Sequence, residues 1–272
     1  MRSVSMGRLS AICSIGVALA LLVLADCGSS SKVATNREAT PAESALKEES
    51  ASAYIVQDVP GGVIQGRVSL NGTPPPPRKI IVNQDPGVCG SQQKFYPVKV
   101  EKGGIVEALV FVDGIKRGKA FAFPEPILRQ KRCTFTPHVV LMQPGELKIE
   151  SDDPVPHNVH SYAESNRNYN ESMNQLHRNL ELRFSRPERF RIGCDLHGWM
   201  RAYVVVAANP YYAVTGEGGR FELDALPPGN YQLKVWQETL GEMEKDVVVE
   251  AGKTTKVDFT FVPKPTQLTA SK

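Results

Sequence analysis

An all-β chain carrying two β-sandwiches is the architecture this sequence predicts. Three observations point to it. From Gly61 onward, apolar residues come in short runs of strand length, several of them alternating with polar ones, as half-buried strands do. Turn residues separate the runs: the 272 residues include 22 Gly and 20 Pro. After Asn209 a second series of strands begins, with its own turn chemistry.

The first 26 residues read as a signal peptide rather than as part of the fold. Arg2 and Arg8 precede an apolar run from Ala11 to Ala25, a length that suits a signal segment and is short for a spanning helix. The run ends Leu24-Ala25-Asp26-Cys27-Gly28, which resembles a bacterial lipobox with Cys27 as the lipidated residue. Asp26 stands where a small residue is expected, so ordinary cleavage near Ala25 is the alternative. Either reading places the protein in the periplasm or cell envelope, with membrane attachment only through the lipid. Residues 27–60 are rich in Ser, Ala, Glu, Thr and Lys and have few large apolar side chains, which predicts a disordered tether.

Strands are expected at Val63–Leu70, Ile80–Val82, Ala108–Val112, His138–Met142, Leu147–Ser151, Val159–Tyr162, Leu180–Phe184, Phe190–Gly193 and Ala202–Ala207. The run Pro74–Pro77 is an extended connector. The polar stretch Asn166–Asn179 reads as an excursion or short helix. The first domain is expected over 61–207, the second over 208–263, and a frayed tail over 264–272. Lys+Arg number 32 against 29 Asp+Glu, a formal charge of +3 that is too balanced to argue for nucleic acid.

One constellation carries chemistry. Cys194-Asp195-Leu196-His197-Gly198-Trp199-Met200 has the form C-x2-H-x2-M, and Pro156-His157-Asn158-Val159-His160 lies 37 positions before the cysteine. Copper that cycles between its two oxidation states favours one thiolate, two imidazoles and a weak thioether. A tight loop between strands delivers Cys194, His197 and Met200 together, and a separate strand delivers His157. Thioether ligation argues against zinc. A metal-free relative of such a site is the other alternative. No Ser-His-Asp set, phosphate loop or dinucleotide fingerprint stands in a persuasive context, so no enzyme activity is expected.

The two pieces resemble the type 1 copper proteins, the cupredoxins, and most closely their amicyanin and plastocyanin-like members. The resemblance covers roughly residues 62–207 and is dense only around the two motifs. It implies a Greek-key β-sandwich binding one copper through His157, Cys194, His197 and Met200, with Asn158 tying the ligand loops together. It also implies single-electron transfer with a redox protein such as a cytochrome or dehydrogenase. Copper storage or delivery, or a metal-free structural or adhesive role, are the alternatives. Many members have proline where this chain has Leu196. The His197 ring edge is expected at the surface as the electron port, with Pro156, Gly198 and Trp199 around it. The basic clusters Lys116–Lys119 and Arg129–Arg132 are candidates for its charged rim. With Cys194 as a ligand and Cys13 and Cys27 outside the fold, a Cys89–Cys133 disulfide is expected in an oxidising compartment, two buried thiols being the alternative.

The second series resembles the carboxypeptidase regulatory-like, or prealbumin-like, sandwich. The resemblance rests on Tyr212–Leu223 with its Thr215-Gly216-Glu217-Gly218-Gly219 turn, and on Leu226-Pro227-Pro228-Gly229-Asn230-Tyr231. Modules of this kind imply a structural or interaction role. The early Gly62-x-Ile64-x-Gly66-x-Val68 is similar to their opening strand, leaving open which sandwich it joins.

Overall fold

A computed structural model describes residues 54–263. The signal segment, Cys27 and the 264–272 tail lie outside the described residues. The described chain is all-β, as expected: two sandwiches, one four-residue helix at Pro86–Cys89 and one 3-10 turn.

The first sandwich packs a four-stranded sheet on a five-stranded one. The four-stranded sheet runs in the spatial order Phe135–Thr136, Ile127–Gln130, Gly145–Ser151, Asn179–Phe184. The five-stranded sheet runs Val139–Met142, Arg201–Val206, Glu188–Gly193, His157–Tyr162, Asn170–Met173. Alternation sends one set of side chains inward from each strand. Leu128, Leu147, Ile149 and Phe184 come from one sheet, and Val159, Ile192, Ala202 and Val204 from the other; together they form one apolar core. Asn170–Met173 falls in the polar stretch expected to be an excursion or short helix. It is instead an edge strand, paired antiparallel with His157–His160, and Met173 is its one buried residue.

The second sandwich does not begin at residue 208. Strand Gly62–Leu70 pairs antiparallel with Arg220–Leu226 and parallel with Thr254–Lys256 and Phe259–Phe261. Leu109–Val112 lies between Tyr212–Val214 and Gly229–Gln237. The expected 61–207 boundary is thus corrected: residues 62–70 and 100–112 belong to the C-terminal sheets, and the second sandwich is discontinuous in sequence. The cause is side-chain chemistry. Ile64 and Val68 are fully buried in one core with Leu223, Phe259, Leu233 and Val249. Gly66 is required by close approach, because a Cβ there would sit 1.8 Å from the Val257 carbonyl oxygen.

The end of the expected tether is corrected as well. Ile55–Val56 pairs with Arg117–Gly118, and the Tyr54 hydroxyl donates to the Lys119 carbonyl at 2.8 Å.

Strand Leu109–Val112 is buried on both faces, which explains its unbroken apolar run. Val110 and Val112 face their own core, while Leu109 and Phe111 meet Val139 and Val205 of the first sandwich. Tyr203 stands edge-on to Trp236 with ring centres 4.9 Å apart, and Arg189 lies over the Trp236 face at 4.3 Å. His138 pairs with Glu238 at 2.9 Å across the same junction.

Candidate metal centre

Register brings the predicted residues together. His160 pairs with Gly193, so His157, three residues before it, lies past the end of that neighbouring strand and level with the loop that starts at Cys194, while its other edge pairs with Met173. Gly193 pairs with Arg201, which leaves residues 194–200 as the loop between two neighbouring strands. Two main-chain bonds tighten the loop: Met200 N–H donates to the His197 carbonyl at 2.8 Å, and Cys194 N–H to the Met200 carbonyl at 3.3 Å. Asn158 crosses between the two segments. Its Oδ1 accepts from the Asp195 N–H at 2.6 Å, and its Nδ2 donates to the Asp195 carboxylate at 2.8 Å.

His157, Cys194, His197 and Met200 are all buried. The Nδ1 atoms of His157 and His197 lie 3.0 Å apart, and Cys194 Sγ lies 4.0 Å from the first and 3.8 Å from the second. The point equidistant from these three atoms is about 2.1 Å from each, the range of metal–imidazole and metal–thiolate bonds. The outer nitrogens are engaged too: His157 Nε2 meets Asp153 Oδ2 at 2.9 Å and His197 Nε2 meets Asp85 Oδ2 at 3.1 Å. With each Nε2–H donating to a carboxylate, both Nδ1 lone pairs point inward at one another. Two such lone pairs and a thiol, shut away from water, form a donor set suited to a soft cation. Burial lowers the His157 pKa and the neighbouring His197 adds to that, while Asp153 opposes it; the net effect favours the neutral, ligating form.

One expectation is corrected at this site. The His197 ring is not at the surface: it is 0 % exposed, and Asp85 stands where the electron port was expected. Trp199, open from the sequence to docking or to plain packing, is partly buried and packs beside His197. Its Nε1–H donates to the Cys133 carbonyl at 3.0 Å, its ring lies 5.1 Å from the His197 ring, and it packs against the first core. The basic clusters are neutralised in part, because Lys119 pairs with Asp224, Arg129 with Glu150 and Lys131 with Asp152.

His160 is not at the metal centre. It bonds Asp195 at 3.0 Å and stacks on Tyr162 with ring centres 4.3 Å apart. His160, followed by Asn158 and Asn170, holds the Asp195 carboxyl below its usual pKa. His177 is exposed in a turn. Cys89 and Cys133 are joined by a disulfide, and both sulfurs lie within 4.8 Å of a His197 ring nitrogen.

Sequence reasoning missed Asp85 and Asp153. Asp153 had a visible signal, since it precedes His157 by four residues on the same approach to the strand. Asp85 had none beyond the Asp-Pro turn that opens the helix Pro86–Cys89, because its 112-residue separation from His197 carries no pattern.

The comparisons with known proteins stand beside this geometry. The carboxypeptidase regulatory-like domain family matches residues 200–262. No curated protein sequence matches the chain. Among solved structures, a copper-containing nitrite reductase from Thermus scotoductus is similar at 13% identity and a TM-score of 0.29; the match covers 33% of this chain and 24% of that enzyme, so the chain spans about a quarter of its length. A reduced single-site mutant of amicyanin is similar at 18% identity, over 32% of this chain and 86% of amicyanin, with a TM-score of 0.28. A purple cupredoxin from Nitrosopumilus maritimus is similar at 18% identity, over 30% of this chain and 99% of that protein, with a TM-score of 0.26.

Proposed function

We propose that the protein binds one copper ion through His157, Cys194, His197 and Met200 and carries single electrons. The observation that carries this reading is the buried triangle of two imidazole nitrogens and one sulfur, whose centre is a metal bond length from all three. Bound copper supplies reversible one-electron redox chemistry. The chain's own contribution is rigidity. Strand register fixes His157, the tight loop fixes Cys194 and His197, and Asn158 locks one segment to the other. Four protein ligands leave no position for a substrate, which favours a carrier over a catalyst. The partner is a redox protein such as a cytochrome or dehydrogenase. The envelope location and the lipid at Cys27 belong to the same reading. The C-terminal sandwich serves as a structural or interaction module.

The test is to load the purified chain with Cu(II) and record its visible spectrum. A stoichiometric, intensely coloured thiolate–copper form is expected, and Cys194→Ser should remove the colour while the chain stays folded. Stoichiometric zinc binding with no coloured copper form overturns the reading. A coloured form that cannot be cycled at an electrode leaves copper binding standing and replaces electron transfer with storage.

A further inference from the structure

We infer that Asp85 and Asp153 are the positioning residues of this centre, and that Asp85 also seals the His197 edge from solvent; this rests on the copper reading for its redox part only. The geometry assigns each carboxylate to one ring. Asp153 Oδ2 meets His157 Nε2, and the same carboxylate accepts from the main-chain N–H of Arg132 at 2.6 Å and of Cys133 at 2.8 Å. Asp85 meets His197 Nε2 and is held by its own turn: its carbonyl accepts from Val88 and Cys89 N–H at 3.0 and 2.9 Å.

Both carboxylates therefore hang from the two ends of the Cys89–Cys133 bridge. Asp85 precedes the helix that ends in Cys89, and Asp153 grips the backbone of Cys133 itself. The bridge rivets two loops from distant parts of the chain over the same pair of imidazoles. Trp199 adds a third fastening through its bond to the Cys133 carbonyl. His197 is 0 % exposed, with the Asp85 carboxylate at its outer nitrogen.

Two consequences follow from chemistry. Each carboxylate fixes its ring with Nε2–H outward and Nδ1 inward, so the donor atoms are aimed before any metal arrives. Each also pushes electron density into its imidazole, which favours the more highly charged oxidation state of a bound metal. Partners of this kind are worth about 10–100-fold in metal affinity.

The experiment uses the intact chain and two arms. In the metal-free arm, ring acylation by diethyl pyrocarbonate is followed residue by residue. His197 should react at least about tenfold more slowly than the exposed His177. Asp85→Ala should remove that protection, and Asp85→Asn, which keeps an acceptor oxygen, should retain it. In the copper arm, Asp85→Asn and Asp153→Asn should keep the visible colour. Each should lower the Cu(II)-to-Cu(I) affinity ratio about tenfold or more, which is about 59 mV upward in potential per tenfold. A purely structural role would move thermal stability and leave the potential alone. The inference is overturned if His197 of the wild-type chain reacts as fast as His177, or if both Asn variants hold copper at the wild-type potential. A wild-type chain that takes up no copper counts against the copper reading alone, and the acylation arm still decides where Asp85 sits. Should Asp153→Asn fail to fold, Asp85→Asn decides the copper arm.

Discussion

Replacing the Cys89–Cys133 bridge by alanine at both positions should cost the fold about 4 kcal/mol. The bridge closes a loop with a sequence separation of 44. In the chain-entropy treatment such a loop removes about 13 cal/mol/K from the denatured ensemble, or about 4 kcal/mol at 25 °C. For a domain of this size each kcal/mol is about 2–4 °C in Tm, so a fall of about 8–16 °C is expected. Alanine is the proper replacement because both cysteines are buried in the first core, where serine hydroxyls would add a desolvation cost of their own. The assay is thermal unfolding followed by circular dichroism on the oxidised chain, the chemically reduced chain and the double variant. The last two should agree to within about 1 kcal/mol. Hydrogen exchange of residues 85–95 should rise at the same time, since the bridge is the one covalent fastening of that segment to the sandwich. A fall of less than about 4 °C would refute the reasoning, because the segment would then be held by its non-covalent contacts alone.

Two further outcomes follow from the site and the junction. Asn158→Ala removes the acceptor for the Asp195 N–H and the donor to the Asp195 carboxylate, and should cost about 1–3 kcal/mol in a denaturant titration; unchanged stability would mean that the ligand loop closes without it. His138 is subject first to burial, which lowers its pKa, but Glu238 outweighs this and the net shift is upward. A group whose pKa is raised on folding contributes stability that is complete below about pH 6.5 and is lost as pH rises through the folded value. His138→Gln should therefore destabilise the chain by about 1–2 kcal/mol near pH 5.5 and by less above pH 8; a stability difference independent of pH would remove the charged His138–Glu238 pair from the account.

Strand positions were legible in the sequence wherever one face is buried. Gly62–Leu70 and Gly229–Gln237 show the alternation that a half-buried pleat imposes. Asn170–Met173 escaped because an edge strand with a single buried side chain shows no alternation. Which sheet takes Gly62–Leu70 was left open, since all its partners but Gly104 lie more than 150 residues away and pairing at that range leaves no local mark. The site divides in the same way. Cys194, His197 and Met200 fall within one loop and announce themselves by spacing, and His157 by its Pro-His-Asn context. The cover over His197 comes from a loop and a disulfide that no periodicity describes, so the ring expected at the surface is buried instead.

The discontinuity of the second sandwich sets an order of events during synthesis. Residues 127–206, which supply every strand of the first sandwich's two sheets, emerge before any of residues 220–261. Strand Gly62–Leu70 is made first and waits longest. At ordinary elongation rates the interval from residue 70 to residue 220 is about 8–30 s. Throughout it, a strand destined for the middle of a sheet has its edges open apart from the one bridge of Ser69 to Gly104, and lacks the later strands that cover Ile64 and Val68. Only Gln65, Arg67 and Ser69 on its other face stand against pairing with another chain. A chaperone that holds this strand extended until Phe259 and Phe261 arrive would thus act on the slow half of the protein, while every strand of the first sandwich has already been made.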